Sequence, residues 1–237
     1  MKLFIAFAAL IHTTASAAAM GGTLAREADA AARGAVLVLS DRGSACSGTA
    51  LTRTIVITAA HCAERAQNYA VSYYEGGAPK LIRASGVIRH PQAKTGSAVS
   101  VDLALVKLAE PLPARFSAAA LDDSGLQPGG RARIGGYGPV NGGDDASAGK
   151  FREAELHVLP PALPRFMRIG AAGGSLSEFR ICSGDSGGGV FSASGLLTGV
   201  TAQRERLGGA KECGPAAQAV RIAPQIEWIR GAMERMR

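Results

Sequence analysis

Three side chains in the sequence have the types and the order that catalysis by a serine hydroxyl requires. His61 lies in VITAAHC, Asp102 begins the apolar run DLALVKL, and Ser186 lies in GDSGGG. A serine hydroxyl is a weak nucleophile near neutral pH, so it needs an adjacent base, usually an imidazole that an acid orients. These three residues are therefore candidates for a catalytic group in which the serine hydroxyl is the activated nucleophile.

Each of these residues alone also has an ordinary structural explanation. A histidine at a strand end is more often structural than catalytic, and an acid at the start of an apolar strand is commonly a solvated terminus. The glycines around Ser186, at positions 184 and 187–189, can form a simple flexible turn. They also let backbone N–H groups approach a substrate carbonyl, which makes Ser186 the strongest of the three signals.

The segments that must position these residues have the pattern of short β-strands. Apolar residues follow a period of two or form short runs between turn-forming residues, which predicts an antiparallel all-β protein. Only the end of the chain has helical spacing, where Ile226, Ile229 and Met233 follow Pro224. The predicted strands are residues 35–39, 55–59, 71–74, 103–108, 153–159 and 196–200.

The first nineteen residues have the layout of a secretory signal peptide. Lys2 precedes an apolar run at residues 3–11 and a stretch of small residues at 13–19. The apolar run is too short to serve as a membrane anchor. The sequence therefore predicts a secreted or periplasmic protein that keeps no membrane anchor once residues 1–19 are removed.

The four cysteines fit export to an oxidising compartment. An even number predicts two disulfides, although Cys46, Cys62, Cys182 and Cys213 allow three pairings. No Cys-x-x-Cys occurs, and adjacent His61 and Cys62 are poorly placed to bind one ion, so no metal is expected.

The formal charge of +7 comes from scattered arginines rather than from a basic patch with aromatic residues. Such a distribution favours solubility or weak attraction to acidic surfaces, and no nucleic-acid partner is expected. No cofactor is expected either, and the chain is expected to be a monomer.

Together the motifs resemble those of the chymotrypsin-like, or trypsin-family, serine proteases. TAAHC, DLALVKL and GDSGGG occur in the family's order, and CSGTAL, GGYG, FREAELHV and APQIEWIRGAM resemble further landmarks. The resemblance covers almost all of the mature chain, residues 20–237. It implies two antiparallel six-stranded β-barrels, at about residues 20–112 and 125–223, followed by a terminal helix at residues 224–235.

The resemblance also implies a role for each site residue. Ser186 would attack the scissile carbonyl, His61 would take and return its proton, and Asp102 would orient the imidazole. The backbone N–H groups of Gly184 and Ser186 would form the oxyanion hole. The implied disulfides are Cys46–Cys62 and Cys182–Cys213.

Asp185 would take no part in the triad. In the family, the acid beside the serine pairs with the α-amino group of the mature chain. Signal peptidase cleavage after Ala18 or Ala19 would free that amine at Ala19 or Met20.

Some positions depart from the family's pattern. Gly189 replaces the usual proline, and Ala202, Gln203 and Arg204 replace the serine, tryptophan and glycine of the strand that pairs with substrate.

The resemblance places Arg180 at the floor of the primary specificity pocket. Arg180 and Arg204 predict poor cleavage after Lys or Arg, because an unpaired like charge in a partly desolvated pocket is costly. Either the pocket prefers Glu or Asp, or Arg180 turns to solvent or pairs with Glu178. In the second case the pocket, narrowed by Ile181 and Arg204, accepts only small apolar side chains.

The predicted function is that of a secreted serine endopeptidase acting on peptide or protein substrates, with protein inhibitors as candidate partners. An alternative is a catalytically weak or idle binding protein on the same fold, which the altered residues 202–204 favour. An esterase is a third class, disfavoured by the order of the triad residues.

Overall fold

The computed structural model describes residues 23–24, 30–64, 66–94, 96–97, 99–140, 144–171, 180–205 and 213–237. The predicted signal peptide and the expected start of the mature chain, residues 1–22, lie outside the described residues. Among the helices of the described ranges, none is both long and apolar enough to cross a membrane.

Strands dominate the described chain. In chain order they are β1 (Thr23–Leu24), β2 (Ala35–Ser40), β3 (Ala45–Thr52), β4 (Ile55–Thr58), β5 (Tyr69–Glu75), β6 (Ala78–Arg89), β7 (Ala104–Leu108), β8 (Arg131–Gly136), β9 (Arg152–Leu159), β10 (Phe166–Gly170), β11 (Ile181–Cys182), β12 (Gly189–Ser192), β13 (Leu197–Arg204), β14 (Cys213–Gly214) and β15 (Ala216–Arg221). The helices are α1 (Ala30–Gly34) and α2 (Ile226–Arg235).

The first barrel closes in the order β2-β3-β4-β7-β6-β5, with every neighbouring pair antiparallel. Its interior is built from branched aliphatic side chains that suit a pleated, half-buried surface. Val36, Val56, Val71 and Val106 are fully buried there. β4 is buried along its whole length and therefore anchors the residues that follow it in the chain.

The second barrel contains β8, β9, β10, β15, β13 and β12, and the pairing of β8 with β9 closes it. Ile134, Val158, Met167 and Val190 pack in its interior. Two six-stranded antiparallel barrels with a terminal helix confirm the predicted fold class.

The start of the described chain pairs with the second barrel. β1, formed by Thr23 and Leu24, lies opposite Glu153 and Arg152 of β9, and the boundaries at about residues 20–112 and 125–223 stay predictions. The pairing is explained by backbone hydrogen bonding. β10 pairs only with residues 157–159 of β9, so the start of β9 offers an open strand edge to β1.

The terminal helix joins the two barrels. A 3₁₀ turn at Ala223–Gln225 leads into α2, whose Ile229 and Ala232 are fully buried. They belong to a core cluster that also contains Leu103 and Leu105 of the first barrel. Residues 109–130 connect the barrels without a strand of their own. His61, Asp102 and Ser186 come together in the cleft between the barrels.

Candidate active site

The pairing of two strands brings His61 and Asp102 together. His61 lies in a 3₁₀ turn, Ala60–Ala63, which follows the end of β4. Asp102 precedes β7 by two residues. β4 and β7 are antiparallel, with Thr58 opposite Ala104, so the end of one strand lies beside the start of the other.

Asp102 holds His61 through both of its carboxylate oxygens. Nδ1 of His61 lies 2.6 Å from Oδ2, and the backbone N–H of His61 donates to Oδ1 at 2.9 Å. A carboxylate facing Nδ1 selects the tautomer that carries its proton there. Nε2 is then left as the basic nitrogen.

Ser186 lies in the turn between β11 and β12 and lines a cavity of about 250 Å³. His61 and Asp102 line the same cavity, which therefore gathers all three candidate catalytic residues. Within the described ranges, no hydrogen bond joins the Ser186 hydroxyl to the His61 ring. Catalytic hydrogen bonds are often long in a resting enzyme and tighten when substrate binds.

The turn around Ser186 requires glycine at two positions. Gly184 and Gly187 have φ angles of +103° and +84°, in a region that other residues rarely adopt. Gly187 passes so close to the first barrel that a Cβ atom would lie 2.1 Å from the carbonyl oxygen of Ser47. A larger residue at this position would force the turn away from the first barrel.

Backbone hydrogen bonds hold the same turn between the barrels. Ser47 of β3 donates its N–H to the carbonyl of Ser186 at 2.8 Å, and Gly187 donates to Thr201 of β13 at 2.7 Å. In the part of the chain that the structure describes, the N–H groups of Gly184 and Ser186 donate no hydrogen bond. Such amides can stabilise an oxygen that becomes negatively charged in the cavity.

Asp185 faces a second cavity, lined in part by Gly138, Arg152 and Arg180. Its carboxylate accepts the N–H of Gly138 at 2.8 Å and that of Cys182 at 2.7 Å. Burial raises the pKa of Asp185 to about 6, although these two hydrogen bonds and the charge of Arg152 oppose the shift. The predicted partner, an amine at Ala19 or Met20, lies outside the described residues, so this pairing stays a prediction.

The predicted specificity residues divide into two groups. Ala202, Gln203 and Arg204 of β13 line the cavity that contains Ser186. Arg180 and Ile181 instead line the cavity beside Asp185, and Ile181 is buried against the core of the second barrel. Residues 172–179 and 206–212 lie outside the described ranges, so the assignment of Arg180 to the floor of the specificity pocket stays a prediction.

Sequence reasoning missed the segment just before Asp102. Lys94, Gly96, Ser97 and Ser100 line the cavity beside His61, and the hydroxyl of Ser100 accepts the N–H of Lys94 at 2.7 Å. Their position in the sequence could have identified them, because they lie in the connection between β6 and β7 that also contains Asp102.

Both predicted disulfides are present, Cys46–Cys62 and Cys182–Cys213. The first ties β3 to the turn that carries His61, and the second joins β11 to β14, where the two cysteines are opposite each other. Cys46, His61 and Cys62 lie close enough together to suggest a metal site. Both sulfurs are bonded in the disulfide and cannot act as thiolate ligands.

The two barrels and the cavity with its histidine, aspartate and serine define the class of chymotrypsin-like serine proteases. A family model described as Trypsin matches residues 21–229, so the chain belongs to the trypsin family.

Similar proteins agree with this assignment. A trypsin of Simulium vittatum is 29% identical over 69% of this chain and 68% of its own length. A protein described as a peptidase of Corynebacterium glutamicum is 27% identical over 78% of this chain, and the match spans 63% of that relative. The structure of neuropsin, a serine protease expressed in the limbic system of mouse brain, superposes with a TM-score of 0.70. The superposition covers 88% of this chain and 98% of the neuropsin chain. The sequences are 20% identical, so this likeness shows the fold alone.

Proposed function

We propose that the protein is a secreted serine endopeptidase that cleaves peptide bonds through His61, Asp102 and Ser186. The observation that carries the proposal is the 2.6 Å contact between Nδ1 of His61 and Asp102 in the cavity that Ser186 also lines. An imidazole held in this way can take a proton from a neighbouring hydroxyl and return it to a leaving group.

The proposed reaction proceeds through an acyl-enzyme. Oγ of Ser186 forms a bond to the scissile carbonyl carbon while its proton moves to Nε2 of His61. The carbonyl oxygen becomes negatively charged and accepts hydrogen bonds from the N–H groups of Gly184 and Ser186. The C–N bond then breaks, and the leaving amine takes the proton from His61. Water attacks the ester by the same route, releasing the carboxylic acid and restoring the serine hydroxyl.

Secretion is the second part of the proposal. The signal-peptide pattern of residues 1–19 supports it, and so do two disulfides, which persist in oxidising compartments. Cleavage by signal peptidase after Ala18 or Ala19 would free an amine to pair with the half-buried Asp185. A charge pair of this kind needs enclosure and good geometry to stabilise a fold.

The proposed substrates are peptides without Lys or Arg before the scissile bond. Arg204 and Lys94 line the cavity beside Ser186, and the carboxylate of Asp102, which also lines it, is engaged with His61. A basic side chain entering there therefore meets charges of its own sign. An acidic side chain would find complementary charge, and a small apolar one would fit beside Arg204. The backbone of an extended substrate would add to the edge of β13 at Gln203.

An idle binding protein on the same fold is the second candidate, because Ala202, Gln203 and Arg204, which depart from the family's pattern, line the cavity that a substrate would enter. Digestion of a peptide library by the purified protein, with Ser186→Ala as control, separates the candidates. Cleavage by the wild type alone, with covalent labelling by a fluorophosphonate, supports the endopeptidase. The absence of both cleavage and labelling would favour the binding protein. Cleavage of ester substrates alone would favour an esterase.

A further inference from the structure

Ser47 is a buried polar residue of the first barrel that contacts the turn carrying Ser186. It follows Cys46 in β3, and only 1% of its surface is exposed. A hydroxyl removed from water must find hydrogen-bond partners inside the protein, because a buried group without partners destabilises the fold. The partners of the Ser47 hydroxyl lie in the second barrel.

The Ser47 hydroxyl makes two hydrogen bonds whose directions are determined by their donors. The N–H of Tyr137 donates to Oγ at 2.9 Å, and Oγ donates in turn to the carbonyl of Gly184 at 2.7 Å. Since an N–H cannot accept, the hydroxyl proton points to Gly184 and not to Tyr137. Tyr137 is itself anchored, because its hydroxyl donates to the carbonyl of Ala35 at 3.0 Å.

The backbone of Ser47 binds the other half of the proposed oxyanion hole. Its N–H donates to the carbonyl of Ser186 at 2.8 Å. Ser47 therefore holds the carbonyl groups of both Gly184 and Ser186. These are the two residues whose N–H groups would donate hydrogen bonds to the oxyanion.

Gly184 has a particular need for such a restraint. Its φ of +103° is accessible to glycine, which can also adopt many other conformations at little cost. Its N–H lies on the peptide plane before it, so rotation about φ and ψ of Gly184 would turn that N–H relative to the plane after it. The bond from Ser47 constrains the peptide plane that follows Gly184, while the N–H of Asp185 donates to the carbonyl of Cys182 at 3.2 Å on the same plane.

We infer that Ser47 is a positioning residue, whose hydroxyl holds Gly184 in the conformation that directs its N–H to the oxyanion. The inference rests on the proposed peptidase function. A hydrogen bond that organises the hole acts on the transition state more than on bound substrate. Loss of the hydroxyl should therefore lower kcat and leave KM almost unchanged.

The test is Ser47→Ala, assayed on a peptide that the wild type cleaves and with a matching peptide boronic acid as inhibitor. The boronate forms a tetrahedral adduct on a serine and places an oxygen where the oxyanion would be. We expect kcat to fall by about tenfold to a hundredfold, as for a small misplacement of catalytic groups, with KM changed by less than about twofold. The inhibition constant of the boronate should rise by a similar factor.

Ser147→Ala is the matched control. The Ser147 hydroxyl also accepts a backbone N–H, from Val140 at 2.9 Å, and donates to a carbonyl, that of Asp144 at 2.8 Å. It makes no hydrogen bond to Gly184 or Ser186 within the described chain. This variant should therefore keep the wild-type kcat and boronate affinity, even where its melting temperature falls as much as that of Ser47→Ala.

Two results would overturn the inference while wild-type activity stands. One is an unchanged kcat in Ser47→Ala, and the other is an equal loss of kcat in Ser147→Ala. Should Ser47→Ala fail to fold, Ser47→Gly removes the same hydroxyl with a smaller residue and is judged by the same criteria. A wild-type protein without peptidase activity would overturn the proposed function, and this inference with it.

Discussion

Asp185 accepts a hydrogen bond of 2.8 Å from the backbone N–H of Gly138, in a different cavity from the one that its neighbour Ser186 lines. Two adjacent residues thus line separate cavities, Asp185 the smaller one and Ser186 the one that His61 and Asp102 also line. The separation depends on Gly184 and Gly187, whose positive φ angles turn the backbone on either side of the pair. The chemistry at Ser186 and the ionisation of Asp185 can therefore be tested independently.

Replacing Asp102 by Asn should abolish most activity and preserve the fold. Asn keeps the size of the side chain, but it no longer favours the tautomer with a proton on Nδ1 of His61. We expect kcat to fall by about 10⁴-fold at neutral pH. The measurement is steady-state kinetics with circular dichroism on the same sample. Activity within tenfold of wild type would contradict the assignment of Asp102.

Stability should fall between about pH 4 and pH 7 in a chain that retains residues 1–19. The pKa of Asp185 is raised from 3.8 to about 6 by burial, so folding takes up a proton. Its contribution to stability is complete below about pH 4 and is lost as the pH rises through 6. The loss should reach about 3 kcal/mol at neutral pH.

Urea denaturation at pH 4 and pH 7, in a Ser186→Ala background that cannot digest itself, measures most of this loss. Asp185→Asn should flatten the difference between the two pH values. A chain that begins at Met20 should also lose it, because a free amine beside Asp185 lowers the pKa of the carboxyl. A pH-independent stability in the longer chain would contradict the prediction.

Gly187→Ala should prevent formation of the active structure. The added Cβ would lie 2.1 Å from both the carbonyl oxygen of Ser47 and Oγ1 of Thr58, on a backbone with φ of +84°. We expect a loss of several kcal/mol or no folded protein.

Gly77→Ala is the control for Gly187→Ala, because Gly77 has a similar φ of +78° and no atom within 4 Å of the added carbon. Backbone strain alone should cost about 1–2 kcal/mol there. Thermal melts of both variants make the comparison, and equal melting temperatures would show that the close approach at Gly187 does not matter.

Arg204→Ala should change substrate preference more than Arg180→Ala. Arg204 lines the cavity of Ser186, whereas Arg180 lines the cavity beside Asp185. We expect removal of Arg204 to raise kcat/KM for a peptide with Arg before the scissile bond by about tenfold relative to its Glu counterpart. Matched peptides with Glu, Arg, Ala and Phe at that position give the profile. Rapid cleavage of the Arg peptide by the wild type would refute the proposed preference.

Local sequence patterns were sufficient for six of the fifteen strands that the structure describes, for α2 and for the choice of candidate triad residues. Alternating and short apolar runs located the strands at residues 55–58 and 104–108, and three- and four-residue spacing located α2. These signals are local because side chains alternate along a strand and recur every turn along a helix. The motifs around His61, Asp102 and Ser186 carried a family resemblance that led to both disulfides.

Long-range pairing and the shapes of the cavities were decided only by the tertiary structure. Nothing in the residues of β1 specifies β9 of the other barrel as its partner, since backbone hydrogen bonds carry no side-chain signature. The same holds for Ser47, an ordinary residue in CSGTAL whose hydroxyl meets Gly184 across 137 positions of chain. The sequence determined which residues could do chemistry, whereas the packing of two closed barrels determined which of them share a cavity, because that depends on where distant turns meet.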